Sequence, residues 1–124
     1  MRAKILELNV PNKNGRIYTT EAVQAAIEQT KGRDIFGSIG YPDDFNGTVN
    51  LERVSHRAVN IRIEDGDVFA DIKIMNTPNG KILKQLEGAD VPLHFRPAGF
   101  ANIAADGTVS DYQIISIDVV HDPA

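Results

Sequence analysis

Apolar and polar residues alternate most clearly between Val59 and Ile74. Val59, Ile61 and Ile63 are interleaved with Asn60, Arg62 and Glu64. Asp65-Gly66 follows, and Val68, Ala70, Ile72 and Ile74 then fall on one face of the returning segment. Period-two alternation on both sides of an Asp-Gly pair predicts a β-hairpin with one buried face. Upstream, residues 3–10 (AKILELNV) read as a strand without clean alternation, and Pro11 to Gly15 (PNKNG) as a turn. Thr19 or Thr20 then caps a helix over Glu21 to Lys31 that buries Val23, Ala26 and Ile27, with a base in its last turn and Gly32 as the stop. From Asp34 to Asn50 the glycines, proline and aspartates break every periodicity, which predicts irregular structure.

After the hairpin, Thr77-Pro78-Asn79-Gly80 starts a second helix, with Thr77 as N-cap, Pro78 in the first helical position, and Ile82, Leu83 and Leu86 as its apolar stripe. Gly88 ends it. The stretch Val91 to Ile103 (VPLHFRPAGFANI) reads as a strand, a tight Arg-Pro-Ala-Gly corner and a second strand. Asp106-Gly107 gives another hairpin turn, and the final run places Ile115, Ile117 and Val119 on one side against Ile114, Ser116, Asp118 and Val120 on the other. Several β segments, two short helices and no βαβ rhythm predict an α+β fold with a mostly antiparallel sheet or a small β-barrel.

Composition narrows the function classes. The 124 residues suit a single domain over 1–124, and 42% hydrophobic with 24% charged content is ordinary for a globular chain. The net charge of −4, with the basic residues scattered, argues against a nucleic-acid backbone binder. With no cysteine there is no disulfide framework, thiolate metal site or cysteine nucleophile. The N-terminal apolar stretch is too short for a signal peptide, and no segment has the roughly 18 apolar residues that cross a bilayer, so the expectation is a soluble cytoplasmic protein without a membrane partner.

Several short motifs, in order, resemble the prohead (capsid maturation) serine proteases of tailed phages, the T-even-type prohead core protease group, which share the assemblin-like fold. Asn12 to Tyr18 (NKNGRIY) is similar to that family's Asn-x-Asn-Gly-Arg-x-Tyr segment, and Gly37 to Pro42 to its Gly-Glu-Leu-x-His-Pro. Val54-Ser55-His56, Thr77-Pro78-Asn79-Gly80, Pro92 to Pro97 and Asp118 to Pro123 follow the family's Val-Ser-His, Thr-Pro-x-Gly, nucleophile-loop and Asp-x-Val-x-x-Pro segments. The resemblance implies an assemblin-like fold and a phage capsid role, in the host cytoplasm or the virion. Departures fall on the catalytic positions: Tyr41 replaces the histidine of the His-Pro pair, His94 and Phe95 replace the two serines, and Pro97 replaces a glycine whose N–H could line an oxyanion hole. A serine peptidase needs a hydroxyl beside a base active near neutral pH, which these residues do not supply.

The sequence therefore predicts a catalytically inactive relative acting as a capsid-associated structural, assembly or protein-binding factor, with a phage capsid protein or another phage or host protein as partner, or a further copy of itself. Arg16, Tyr18, Tyr41, His56, Arg57, His94, Phe95 and Arg96 are the candidate binding residues, since arginines and aromatics left in an old cleft can hold an anion or a peptide. Two alternatives stand beside this reading. One is an active peptidase with a relocated triad, pairing Ser55 or Ser116 with His94; the other is a small-ligand or host-factor (counter-defence) binder. Neither a cofactor nor a metal is expected: His56, His94, His121, Asp118 and Asp122 lack metal-ligand spacing, and Asp43, Asp44 and Asn46 lack the ligand pattern of a calcium loop.

Overall fold

The computed structural model describes residues 1–40 and 47–121. Strands β1 (Arg2–Glu7), β3 (Ile35–Ser38), β4 (Val54–Glu64) and β5 (Asp67–Ile74) form a sheet in the order β1-β5-β4-β3. Strands β2 (Ile17–Tyr18), β6 (His94–Ile103) and β7 (Thr108–Val120) form a second, in the order β2-β7-β6. Strand pairs within the sheets are antiparallel except β2 with β7. The sheets join along β3 and β7, where Ile39 bridges Val119 and the Gly40 N–H donates to the Val119 carbonyl at 2.7 Å. On the far side β1 runs close to β6. The result is an α+β fold: a mostly antiparallel sheet curled into a half-barrel, with helix α1 (Thr20–Thr30) on β7 and helix α2 (Pro78–Gly88) on β4.

Local chemistry sets the elements. The Thr19 hydroxyl accepts from the Ala22 N–H at 3.2 Å, closing the first turn of α1, while Gly32 at φ +79° ends the helix in the left-handed region that glycine tolerates. Val23 and Ala26 are buried and Ile27 is half-buried. Asp65 and Gly66 both take positive φ, 51° and 82°, the twisted two-residue turn that suits a hairpin. Thr77 caps α2 by accepting from the Gly80 N–H at 3.0 Å and also donates to the Val54 carbonyl at 2.6 Å. Asn79 donates to the Arg53 carbonyl at 2.8 Å, so the first turn of α2 is tied to the chain entering β4.

Four expectations are corrected. The Arg-Pro-Ala-Gly stretch is not a corner: β6 runs through it without a break, because β7 pairs with it along its whole length and absorbs the irregularity in a register shift at Ala98/Gly99. Within the segment expected to be irregular, Ile35 to Ser38 form β3, with Ile35 and Gly37 buried. Val59 does not share the inward face of Ile61 and Ile63. A register shift between Val59 and Arg62, with Asn60 at φ 53°, reverses the alternation so that His56 and Ala58 precede Ile61 and Ile63 on the inner side. A similar shift at Ser116/Ile114 removes Ile115 from the core face, which takes Ile114, Ile117 and Val119.

The helices also differ in detail. Lys31 is the C-cap of α1, so the last turn has no base. In α2, Leu83 is buried and Leu86 half-buried, but Ile82 is 46% exposed, and the contact with β4 is made instead through the buried Gly80. A Cβ on Gly80 would collide with the Met75 carbonyl and press on that of Ser55. Intrinsic propensity makes Gly→Ala within a helix favourable by about 1 kcal/mol. Here the backbone contact outweighs it. Gly80→Ala should destabilise the fold by about 1 to 3 kcal/mol, read as a lower urea midpoint; a raised midpoint would mean that α2 does not pack this closely.

Candidate functional site

The best-formed polar constellation lies at the seam between the sheets, where β4, β3 and β7 run side by side. Gly37 on β3 pairs with His56 on β4, and a Cβ on Gly37 would strike both the His56 ring and the Ile117 carbonyl on β7. Glycine leaves the space through which the imidazole reaches across β3. His56 Nε2 lies 2.5 Å from the Ile117 carbonyl oxygen, and Nδ1 lies 2.7 Å from the Ser55 hydroxyl. A carbonyl only accepts, so Nε2 carries the proton, Nδ1 is the acceptor, and the Ser55 O–H donates to it. Burial pushes the His56 pKa below its ordinary 6.5, with the Ile117 hydrogen bond acting in the opposite direction.

Asp118 follows Ile117 on β7 and is 2% exposed. Its Oδ1 accepts from the Ser38 N–H at 2.9 Å and, more weakly, from the Ser38 hydroxyl at 3.4 Å; its Oδ2 accepts from the Ser116 hydroxyl at 3.0 Å. The carboxylate thus satisfies a backbone donor at the register shift between Gly37 and Ser38. Burial raises its pKa above the usual carboxylate value, opposed first by the Ser38 N–H and then by the two hydroxyls.

Ser55 and His56 have the contact required of a nucleophile and its base, and the Ile117 carbonyl orients the ring. Access is what the pair lacks. Both residues are 0% exposed, so a scissile carbonyl has no route to the hydroxyl in this conformation. The Phe95 ring closes the neighbourhood edge-on to His56, with centroids 5.2 Å apart and planes at 89°, and is itself 2% exposed.

The seven candidate residues that are described do not form one site. His56 and Phe95 meet in the core. His94 begins β6 opposite Val120, half-buried, and neither serine named for it is its partner: Ser55 bonds His56, and Ser116 bonds Asp118. Arg57 lies on the outer side of β4, with its Nη1 3.6 Å from Asp34. Tyr41 lies outside the described residues. Arg16, Tyr18 and Arg96 come together along an open cavity of about 470 Å³ beside β6, whose floor includes Tyr112 packed edge-on to Tyr18 at 5.2 Å.

The Ser55-His56 contact and the acceptor role of Asp118 were missed by sequence reasoning. The available signal was two adjacent polar residues, Ser55 and His56, following Val54 at the start of a strand, and one aspartate in an apolar C-terminal run. No group of three or more metal-ligating side chains occurs among the described residues.

No family model and no curated protein sequence matches the chain. Among solved structures, that of the bacteriophage T4 capsid assembly protease, gp21, superposes with a TM-score of 0.78 over 99% of this chain and 82% of that one, at 16% sequence identity. The likeness is one of fold.

The two buried groups give opposite pH dependences. His56 is held neutral, so its contribution to stability is complete above pH 6.5 and is lost as pH falls below that value. Asp118 favours its protonated form in the fold, so its contribution is best below pH 3.8 and declines as pH rises from there through its elevated pKa. Urea midpoints should therefore drop on acidification below pH 6.5, and less steeply in His56→Gln. The difference in midpoint between Asp118→Asn and the parent should rise as pH increases from 3.8; a constant difference would show that the carboxylate is not desolvated.

Proposed function

We propose that the chain is a phage capsid-assembly protein built on a prohead-protease-like framework, working by binding with its peptidase chemistry silent. The observation that carries this reading is the Phe95-His56 contact. Where the resemblance places the nucleophile, a phenyl ring is packed in the core against the imidazole of His56. The overlap with the capsid assembly protease across nearly the whole chain supports the capsid-related part. A phage capsid or scaffold component, or another phage or host protein, is the corresponding partner, in the host cytoplasm or the virion. No helix among the described residues is long and apolar enough to cross a membrane.

A second reading is supported by the Ser55-His56 hydrogen bond: a peptidase in which Ser55 serves as nucleophile after an opening of the seam. The experiment that separates them is labelling of the purified protein with a fluorophosphonate serine probe, together with incubation alongside capsid and scaffold proteins. The binding reading predicts neither labelling nor cleavage. Stoichiometric labelling that disappears in Ser55→Ala would overturn it in favour of the second reading, and labelling that survives in Ser55→Ala would contradict both.

A further inference from the structure

The open cavity of about 470 Å³ takes no part in the seam, since Ser55, His56, Phe95 and Asp118 are all absent from its lining. Arg16 and Tyr18 enter it from β2 and the turn before it, Arg96 and Pro97 from β6, Tyr112 from β7 and Leu6 from β1. Its volume falls within the roughly 300 to 1,000 Å³ of small-molecule sites, which combine apolar walls with a few placed polar groups.

The charge of the cavity is opposite to that of the molecule. The chain carries −4, yet two arginines and no aspartate or glutamate line the cavity among the described residues. Glu7 belongs to the adjoining cavity of about 270 Å³ and is paired there to Lys4 at 3.0 Å. The Arg96 Nη1 donates to the Phe95 carbonyl at 2.8 Å and to the Lys4 carbonyl at 3.3 Å, which holds the guanidinium in place. Its Nε and Nη2 donors have no partner among the described residues, and this is an edge from which a guanidinium grips an oxyanion in two parallel bonds. The Arg16 side chain likewise has neither a hydrogen bond nor an ion pair among the described residues. Its backbone is fixed, because the Asn12 side-chain oxygen accepts from the Arg16 N–H at 3.0 Å and from the Asn14 N–H at 2.9 Å. Tyr18 and Tyr112, edge-on with centroids 5.2 Å apart, give the same cavity an aromatic wall.

We propose that this cavity binds a small molecule built of one oxyanion, a carboxylate or a phosphate monoester, on a flat or apolar body. The oxyanion sits on Arg16 and Arg96 and the body against Tyr18 and Tyr112. A guanidinium binds either oxyanion through paired, charge-assisted hydrogen bonds that a neutral ligand of the same shape cannot form. The site goes beyond the capsid reading and does not depend on it, because none of the residues that carry that reading lines the cavity.

The test is isothermal titration calorimetry of the purified protein with two matched pairs: AMP beside adenosine, and N-acetyl-phenylalanine beside its amide. Saturable binding of at least one anion, about tenfold or more tighter than its neutral counterpart, is expected. Binding of AMP supports a phosphate ligand, binding of N-acetyl-phenylalanine a carboxylate, and binding of both the shared oxyanion chemistry. Arg16→Gln and Arg96→Gln should each weaken the bound anion by about tenfold or more, with the folded fraction of each variant checked by its urea midpoint. Arg57→Gln, which removes a guanidinium on the outer side of β4, should leave binding unchanged. Equal binding of the neutral counterpart, an equal loss in Arg57→Gln, or no saturation by either anion up to about 1 mM would each overturn the site. The paired titrations use the parent protein, so a variant that misfolds leaves the test intact. The outcome is independent of the fluorophosphonate result: a protein that stays unlabelled and binds neither anion loses this site and keeps the silent reading.

Discussion

The hydrogen bond from His56 Nε2 across Gly37 to the Ile117 carbonyl is the constraint on which the arrangement of the two sheets depends. β3 and β7 meet through few backbone bonds, so the seam is completed by side chains. His56 spans it from β4, Asp118 holds the Ser38 N–H from β7, and Arg33, just beyond α1, donates to the Ile114 carbonyl at 3.0 Å. Each of these satisfies a buried or partly buried backbone group at the seam. Glycine at 37 is the condition for the first of them.

This constraint also bears on function. A histidine bonded at both nitrogens inside the core is oriented as a catalytic base would be, yet it is shielded on every side described, by Ser55, by Ile117 and by the Phe95 ring. The same residues that could do chemistry hold the sheets together. Ser55 and His56 are both buried, while Arg16 and Arg96 lie elsewhere, on the open cavity beside β6.

Much of the framework was legible from local signals. Thr19 and Thr77 as caps, Gly32 as a stop, Asp65-Gly66 and Asp106-Gly107 as turns all act through the few residues next to them, so their chemistry survives in the sequence. What was not legible depends on partners far along the chain. The reversals of face at Asn60 and Ile115 are products of register with β5 and β6. β3 forms in a glycine-rich stretch because β4 supplies a partner and because His56 needs the missing Cβ of Gly37. Arg16, Tyr18 and Arg96 line one cavity, whereas the role of His56 depends on Ile117 lying opposite it, 61 residues further along the chain.

The most direct measurement of the central claim is the side-chain ¹⁵N NMR spectrum of His56 as a function of pH. A neutral ring with the proton on Nε2, persisting below pH 6.5 and showing a hydrogen-bonded Nε2–H protected from solvent exchange, is the predicted result. A ring that titrates at its ordinary value near 6.5, or that carries its neutral proton on Nδ1, would contradict the seam as described and reopen Ser55-His56 as a working catalytic pair.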